Sequence, residues 1–339
     1  MTKELLNTQN FSKELLKIEN LSKQFIVERD FWGRPLKSLT AVNQVSLSVK
    51  EGTTLGIVGE SGCGKSTLGR CAIRLLEHTA GQVIYRGQNI SALSKEEMTQ
   101  LRRQMQIIFQ DPYSSLNPRM TVYELIKEPL DNFKIGSPQE RQEKVYKMME
   151  EVSLRASYAH RYPHEFSGGQ RQRITIARAL ILEPEFVVCD EPVSALDVSV
   201  QSQVLNLMRS LQKERNLTYL FISHNLSVVK YVSDEIVVMY LGRVVEKAPG
   251  DLLFTHTLHP YSQALISAIP VTQESDIAKI TLSGEVPSPL QAPSGCCFHT
   301  RCSHCTPQCE TEVPELREIE PDHFVACHLF QNRKEVAHV

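Results

Sequence analysis

Gly59-Glu60-Ser61-Gly62-Cys63-Gly64-Lys65-Ser66 follows the apolar run Leu55-Gly56-Ile57-Val58 and leads straight into Thr67-Leu68-Gly69-Arg70-Cys71-Ala72. Its glycines let successive backbone N–H groups turn toward one anion. The helix expected after Ser66 adds the positive end of its dipole. Between a strand and a helix, this pattern is a phosphate cradle in which Lys65 reaches nucleotide phosphates and Ser66 offers a hydroxyl to Mg²⁺. The binding set is then Gly59, Glu60, Ser61, Gly62, Cys63, Gly64, Lys65, Ser66 and Thr67, although the Cys63 thiol has no required part in that chemistry. An ordinary glycine-rich turn would share the composition but would not need the flanking strand and helix.

Two more continuously apolar runs, Phe186-Val187-Val188-Cys189 and Tyr219-Leu220-Phe221-Ile222, resemble Leu55–Val58 in pattern. Runs without alternation suit parallel strands covered on both faces, and in such α/β sheets ligands gather beyond the carboxyl ends. By contrast, Leu16–Leu21 and Val45–Val49 alternate apolar with polar, which predicts a half-buried antiparallel layer. Between those two, the stretch from Ile26 to Ala41, with Trp32-Gly33-Arg34-Pro35, reads as a loop insertion. Ser137-Pro138-Gln139-Glu140 combines an N-cap, a first-turn proline and a capping-box glutamate, so a helix should follow, with Val145, Met148, Met149 and Val152 on its inward stripe. A hairpin turning at Gly242 is expected near Val237–Val245. The fold class is therefore α/β: a cassette over 16–255 with an antiparallel β subdomain, a mostly parallel central sheet and a helical insert at about 110–180. From Pro249 onward prolines become frequent, and 256–330 reads as a distinct C-terminal appendix.

The 339 residues are 41% hydrophobic and 22% charged, with a formal net charge of −2, which leaves no basic footprint for nucleic acid. No run of 18 apolar residues is present, and Met1–Leu16 mixes charge with Leu, so neither a membrane span nor an exported leader is expected.

A second chemical feature lies at the end of the second apolar run. Asp190 and Glu191 are adjacent acids there, and neighbours on a strand point to opposite sides, so they should do different work. Asp190 is the candidate to hold Mg²⁺ through water, and Glu191 the candidate base that polarises an attacking water.

Ser167-Gly168-Gly169-Gln170-Arg171-Gln172-Arg173 closely resembles the signature of the ABC ATPases and precedes Asp190 by the interval that family shows. The resemblance implies further roles. Gln110 is the Q-loop glutamine touching Mg²⁺ and water, Ser194-Ala195-Leu196-Asp197 is the D-loop, and His224 is the switch histidine on the γ-phosphate. It also implies a head-to-tail dimer in which Ser167, Gly168, Gly169 and Gln170 of one subunit close on ATP held by the other. Adenine should stack on Phe25, with Phe31 and Trp32 as rivals. Non-transporting ABC ATPases are the other class considered, but they typically carry two cassettes or long insertions.

Phe109-Gln110-Asp111-Pro112-Tyr113-Ser114-Ser115-Leu116-Asn117-Pro118-Arg119, Tyr162–Phe166 and His259–Leu265 resemble the second of the two ATPase subunits of oligopeptide and dipeptide importers, across about Leu16 to Leu329. That implies ATP hydrolysis driving peptide import, with nickel or glutathione as alternative cargoes. The implied partners are a homologous but non-identical ATPase, two transmembrane permeases and an extracytoplasmic substrate-binding protein. The implied location is the cytoplasmic face of the bacterial inner membrane.

Six of the nine cysteines lie between Cys296 and Cys327. In a reducing compartment such a cluster is expected to hold metal rather than disulfides, because so short a segment has little apolar surface to order it. The tail at 295–328 is similar to that of peptide-importer ATPases, which implies a [4Fe–4S] cluster on Cys296, Cys302, Cys309 and Cys327. Cys297 and Cys305 depart from that set and leave open a Zn²⁺ site with His299 or His304, or reduced thiols.

Overall fold

The computed structural model describes residues 13–269, 280–282 and 284–331; the opening stretch 1–12, where no leader is expected, lies outside them. In chain order the strands are β1 (Glu14–Arg29), β2 (Pro35–Lys50), β3 (Thr54–Val58), β4 (Ala80–Tyr85), β5 (Gln88–Asn89) and β6 (Met105–Ile108). They continue as β7 (Phe186–Asp190), β8 (Thr218–Ile222), β9 (Glu235–Tyr240), β10 (Arg243–Pro249), β11 (Arg317–Glu320) and β12 (His323–Val325). Among the described residues they form a four-stranded sheet, β2-β1-β4-β5, and an eight-stranded one, β11-β12-β10-β9-β3-β8-β7-β6. The run β9-β3-β8-β7-β6 is parallel.

Every residue of β3, β7 and β8 is buried, as unbroken apolar runs require of strands covered on both sides. Successive side chains serve opposite cores. Phe186 and Val188 of β7, with Leu220 and Ile222 of β8, pack toward the antiparallel sheet through Leu16, Ile18 and Leu47. Val187, Cys189, Tyr219 and Phe221 face the other way, into a core shared with the helical insert through Leu125, Val145 and Met149.

The insert contains the helices Val122–Asn132 and Pro138–Glu151 and leads to Gly168–Leu180. The Ser137 capping box forms: Glu140 N donates to Ser137 Oγ at 3.3 Å and Ser137 N to Glu140 Oε2 at 2.6 Å. Val145, Met148, Met149 and Val152 are all buried, so the methionines are core. The turn between β9 and β10 places Leu241 and Gly242 at φ 43° and 79°, the two left-handed residues of a tight hairpin.

One expectation is corrected. The stretch from Ile26 to Ala41 is not a loop insertion but the outer half of the β1–β2 hairpin, paired from Phe25–Leu39 out to Arg29–Pro35. Its tip is tied by Asp30 Oδ1, which accepts from Trp32 N at 2.9 Å and Arg34 N at 2.7 Å. Alternation is lost there because the hairpin projects beyond the core, with neither face buried. The C-terminal segment, expected as a distinct appendix, joins the main sheet. β12 pairs antiparallel with β10, Glu246 opposite Val325, and β11 continues the main sheet beyond it.

Candidate functional site

The phosphate-binding loop closes β3 and opens the helix Lys65–Ala72. Gly64 has φ 102°, and a Cβ there would come within 2.0 Å of the Ala41 carbonyl oxygen, so only glycine permits the turn into the helix. Lys65 is buried and curls back over the loop, where Nζ donates to the carbonyls of Gly59 at 2.8 Å and Glu60 at 2.9 Å. Ser66 Oγ donates to Asp190 Oδ1 at 2.6 Å, and Arg70 Nη2 reaches the other carboxylate oxygen at 3.2 Å.

One residue past Asp190 the backbone leaves the strand, with Glu191 at φ 50° and its N–H bonded to the Ile222 carbonyl at 3.0 Å. The left-handed turn swings the Glu191 carboxylate away from Asp190. There a single oxygen, Oε2, lies 3.1 Å from Gln110 Nε2 and 3.0 Å from His224 Nδ1. Residues from β7 and from the loops after β6 and β8 thus meet at the carboxyl ends of three parallel strands. These groups line a cavity of about 510 Å³ that also takes in Phe25, Lys65, Ser66 and Thr67. Phe31 and Trp32 are 96% and 80% exposed at the hairpin tip, and neither lines the cavity.

Ser66 and Asp190 present hard oxygen donors side by side at a helix N-terminus, which fits Mg²⁺. Gln110, named with them, points instead to Glu191. Burial raises the Cys63 thiol pKa, with Lys65 opposing, so Cys63 packs beneath the loop as a neutral group.

Ser167 lies elsewhere. It caps the helix Gly168–Leu180 through a reciprocal pair with Gln170, exposed to solvent and outside the cavity. Gly168 and Gly169 form the first turn of that helix, so this chain does not fold its own signature onto its own phosphate loop.

The cysteine expectation is overturned. Among the described residues no group of three or more His, Cys, Asp or Glu side chains could hold a metal ion, so neither the [4Fe–4S] set Cys296, Cys302, Cys309 and Cys327 nor a zinc variant forms. Burial pushes Cys296 up to about 11 and Cys297 and Cys327 up to about 12, which keeps all three as neutral thiols. The apolar surface thought to be lacking is provided by the cassette itself. Phe298 packs on Tyr240, Tyr261 and His259 at centroid distances of 5.3, 5.4 and 5.7 Å.

Sequence patterns also missed three groups that meet the site. Arg70 pairs with Asp190, Tyr261 Oη accepts from Glu60 N at 2.9 Å, and Arg301 grips the Glu60 carboxylate. The last two lie 201 and 241 residues from Glu60, too far for any local spacing to announce.

A family model described as "ABC transporter" matches residues 42–194, and one described as "Oligopeptide/dipeptide transporter, C-terminal region" matches 245–309. The chain is 54% identical over 310 residues to the oligopeptide transport ATP-binding protein AppF of Bacillus subtilis (strain 168), covering 90% of this chain and 94% of that one. It is 50% identical over 289 residues to the di/tripeptide transport ATP-binding protein DppF of Pseudomonas aeruginosa (strain UCBPP-PA14), covering 85% and 89%. Among solved structures it resembles the post-hydrolysis dimer of the ATP-binding cassette MJ0796 bound to ADP and Pi, with a TM-score of 0.62 at 28% identity, covering 69% of this chain and 98% of that one. With strand-end geometry, family matches and near full-length relatives in agreement, the chain belongs to the ABC transporter family, among the ATP-binding subunits of the oligopeptide/dipeptide type.

Proposed function

We propose that this chain binds and hydrolyses ATP to energise peptide import by a bacterial ABC transporter. The observation that carries the reading is the Glu191 carboxylate, held between Gln110 and His224 in the cavity that Lys65 and Ser66 also line, with Asp190 bonded to Ser66 Oγ. Lys65 Nζ is tied to the loop's own Gly59 and Glu60 carbonyls and to the Cys63 sulfur, so an incoming triphosphate can compete for it. Ser66 and Asp190 would hold Mg²⁺, which when bound neutralises phosphate charge. Phe25, which lines the same cavity, is the aromatic for the base to stack on. In this reading Glu191 polarises the attacking water, and the contacts of Gln110 and His224 with its carboxylate orient it.

The signature around Ser167 is available to another subunit's nucleotide. That favours a dimer with a homologous, non-identical ATPase, docked on two permeases served by a substrate-binding protein. No described helix is long and apolar enough to cross a membrane, which suits a peripheral subunit acting at the cytoplasmic face.

The test is peptide uptake by vesicles carrying the assembled transporter, with ATPase activity measured in parallel. Glu191→Gln is expected to keep MgATP binding while lowering turnover by about 10²-fold or more, and Lys65→Ala to weaken binding itself. Wild-type turnover in Glu191→Gln would refute the catalytic assignment. ATP hydrolysis stimulated by nickel or glutathione but not by peptides would move the cargo assignment.

A further inference from the structure

Glu60 is an odd residue for an anion cradle. It is the second position of the phosphate-binding loop, and a carboxylate there repels a polyphosphate by ordinary Coulomb interaction, strongly so where solvent is partly excluded. The C-terminal segment answers that charge. Arg301 is buried, its side chain 8% exposed, and it forms a forked pair with Glu60: Nη1 lies 2.9 Å from Oε2 and 3.2 Å from Oε1, and Nη2 lies 3.2 Å from Oε1. The same guanidinium stands 3.5 Å from the Tyr240 hydroxyl. Around Glu60 the main chain is also held, with its N–H on Tyr261 Oη and its carbonyl on Lys65 Nζ. Every polar group of Glu60 is therefore engaged, two of them by residues beyond position 260.

We propose that Arg301 is a positioning residue for nucleotide binding, contributed by the C-terminal segment, which neutralises Glu60 and so sets the charge and placement of the phosphate-binding loop. The inference rests on the ATPase reading and adds to it a direct role for a segment more than two hundred residues from the loop. It also gives that segment a route to the ATP site, since movement of the short helical turn His299–Arg301 would uncover the Glu60 charge.

A purely structural staple and a charge-neutralising one differ in sign. If Arg301 merely braces the loop, removing either partner weakens nucleotide binding. If it neutralises Glu60, losing the arginine weakens binding, losing the glutamate tightens it, and losing both recovers most of the affinity. The experiment is titration of the purified full chain with MgATP, at low salt and at about 0.5 M salt, with folding followed by circular dichroism.

Arg301→Gln is expected to raise Kd about tenfold at low salt, with a smaller defect at high salt, because exposed charge repulsion is screened. Glu60→Gln is expected to lower Kd, and Glu60→Gln/Arg301→Gln to bind far better than Arg301→Gln alone. Should Arg301→Gln fail to fold, Arg301→Lys, which keeps the charge without the fork, carries the test: an MgATP affinity within about threefold of wild type is expected, and a loss of about tenfold overturns the proposal. Unchanged affinity in a folded Arg301→Gln, weakened affinity in Glu60→Gln, or a double variant as weak as Arg301→Gln would each overturn the proposal. A wild-type chain that binds no MgATP would overturn the ATPase reading and this inference together.

Discussion

His259 shows how one buried side chain ties the fold to pH. Its Nδ1 accepts from Tyr261 N at 3.1 Å, capping the helix Pro260–Ser267, and the ring is 1% exposed. Burial lowers its pKa from 6.5 to about 4, with the nearby Glu246 carboxylate pulling the other way. As pH falls below 6.5 the unfolded chain takes up a proton that the folded chain refuses until about 4. Protonation therefore favours unfolding: the contribution is full above 6.5 and is lost between 6.5 and 4, on the order of 3 kcal/mol in all. Urea midpoints should fall across this window in the wild type. His259→Asn, which keeps an acceptor for Tyr261 N, should show a shallower decline. Equal slopes would show that other groups govern the acid sensitivity.

At the level of elements, the joint between β10 and the C-terminal segment depends on Glu246, which is fully buried. Its carboxylate accepts from Leu258 N at 2.8 Å and His259 N at 3.1 Å, and lies 2.8 Å from His323 Nε2 at the start of β12. Three separate segments thus share one buried anion. Removing one member of such a network strands the others, and that costs about 3–5 kcal/mol. Glu246→Ala should lower unfolding stability by an amount in this range, and limited proteolysis should then cut selectively between Leu258 and Val325. A change below about 1 kcal/mol would mean that strand pairing and the Phe298 packing suffice without it.

For the whole molecule, the separation of Ser167 from the Lys65 cavity is the governing fact. On the proposed reading, a chain whose capped, exposed helix N-terminus lies outside its own nucleotide cavity contributes half of two composite sites. Ser167→Arg in this chain should leave its own MgATP affinity within about twofold, yet lower turnover of the assembled transporter by about tenfold or more, because the obstruction falls on the partner's nucleotide. Isolated chain should hydrolyse ATP slowly in both forms. Fully transport-rate hydrolysis by the isolated wild type would contradict a shared site.

The central strands, the capping box at Ser137, the hairpin at Gly242 and the loop Gly59–Ser66 were readable because each is written in local spacing: unbroken apolar runs, a serine three residues before a glutamate, and glycines where only positive φ fits. The outer half of the β1–β2 hairpin was not, since solvent on both faces removes the alternation that marks a strand. The C-terminal segment was misread for a related reason: its cysteines suggested metal, whereas Phe298, Val325 and His323 are ordered by surfaces on β9, β10 and the helix after His259. Local pattern alone picked out Lys65, Ser66, Gln110, Glu191 and His224, which the fold brings to one cavity. Tertiary structure decided which distant groups complete the site, because a contact such as Arg301 with Glu60 is set by how two sheets and a returning tail pack, and leaves no periodic trace in the sequence.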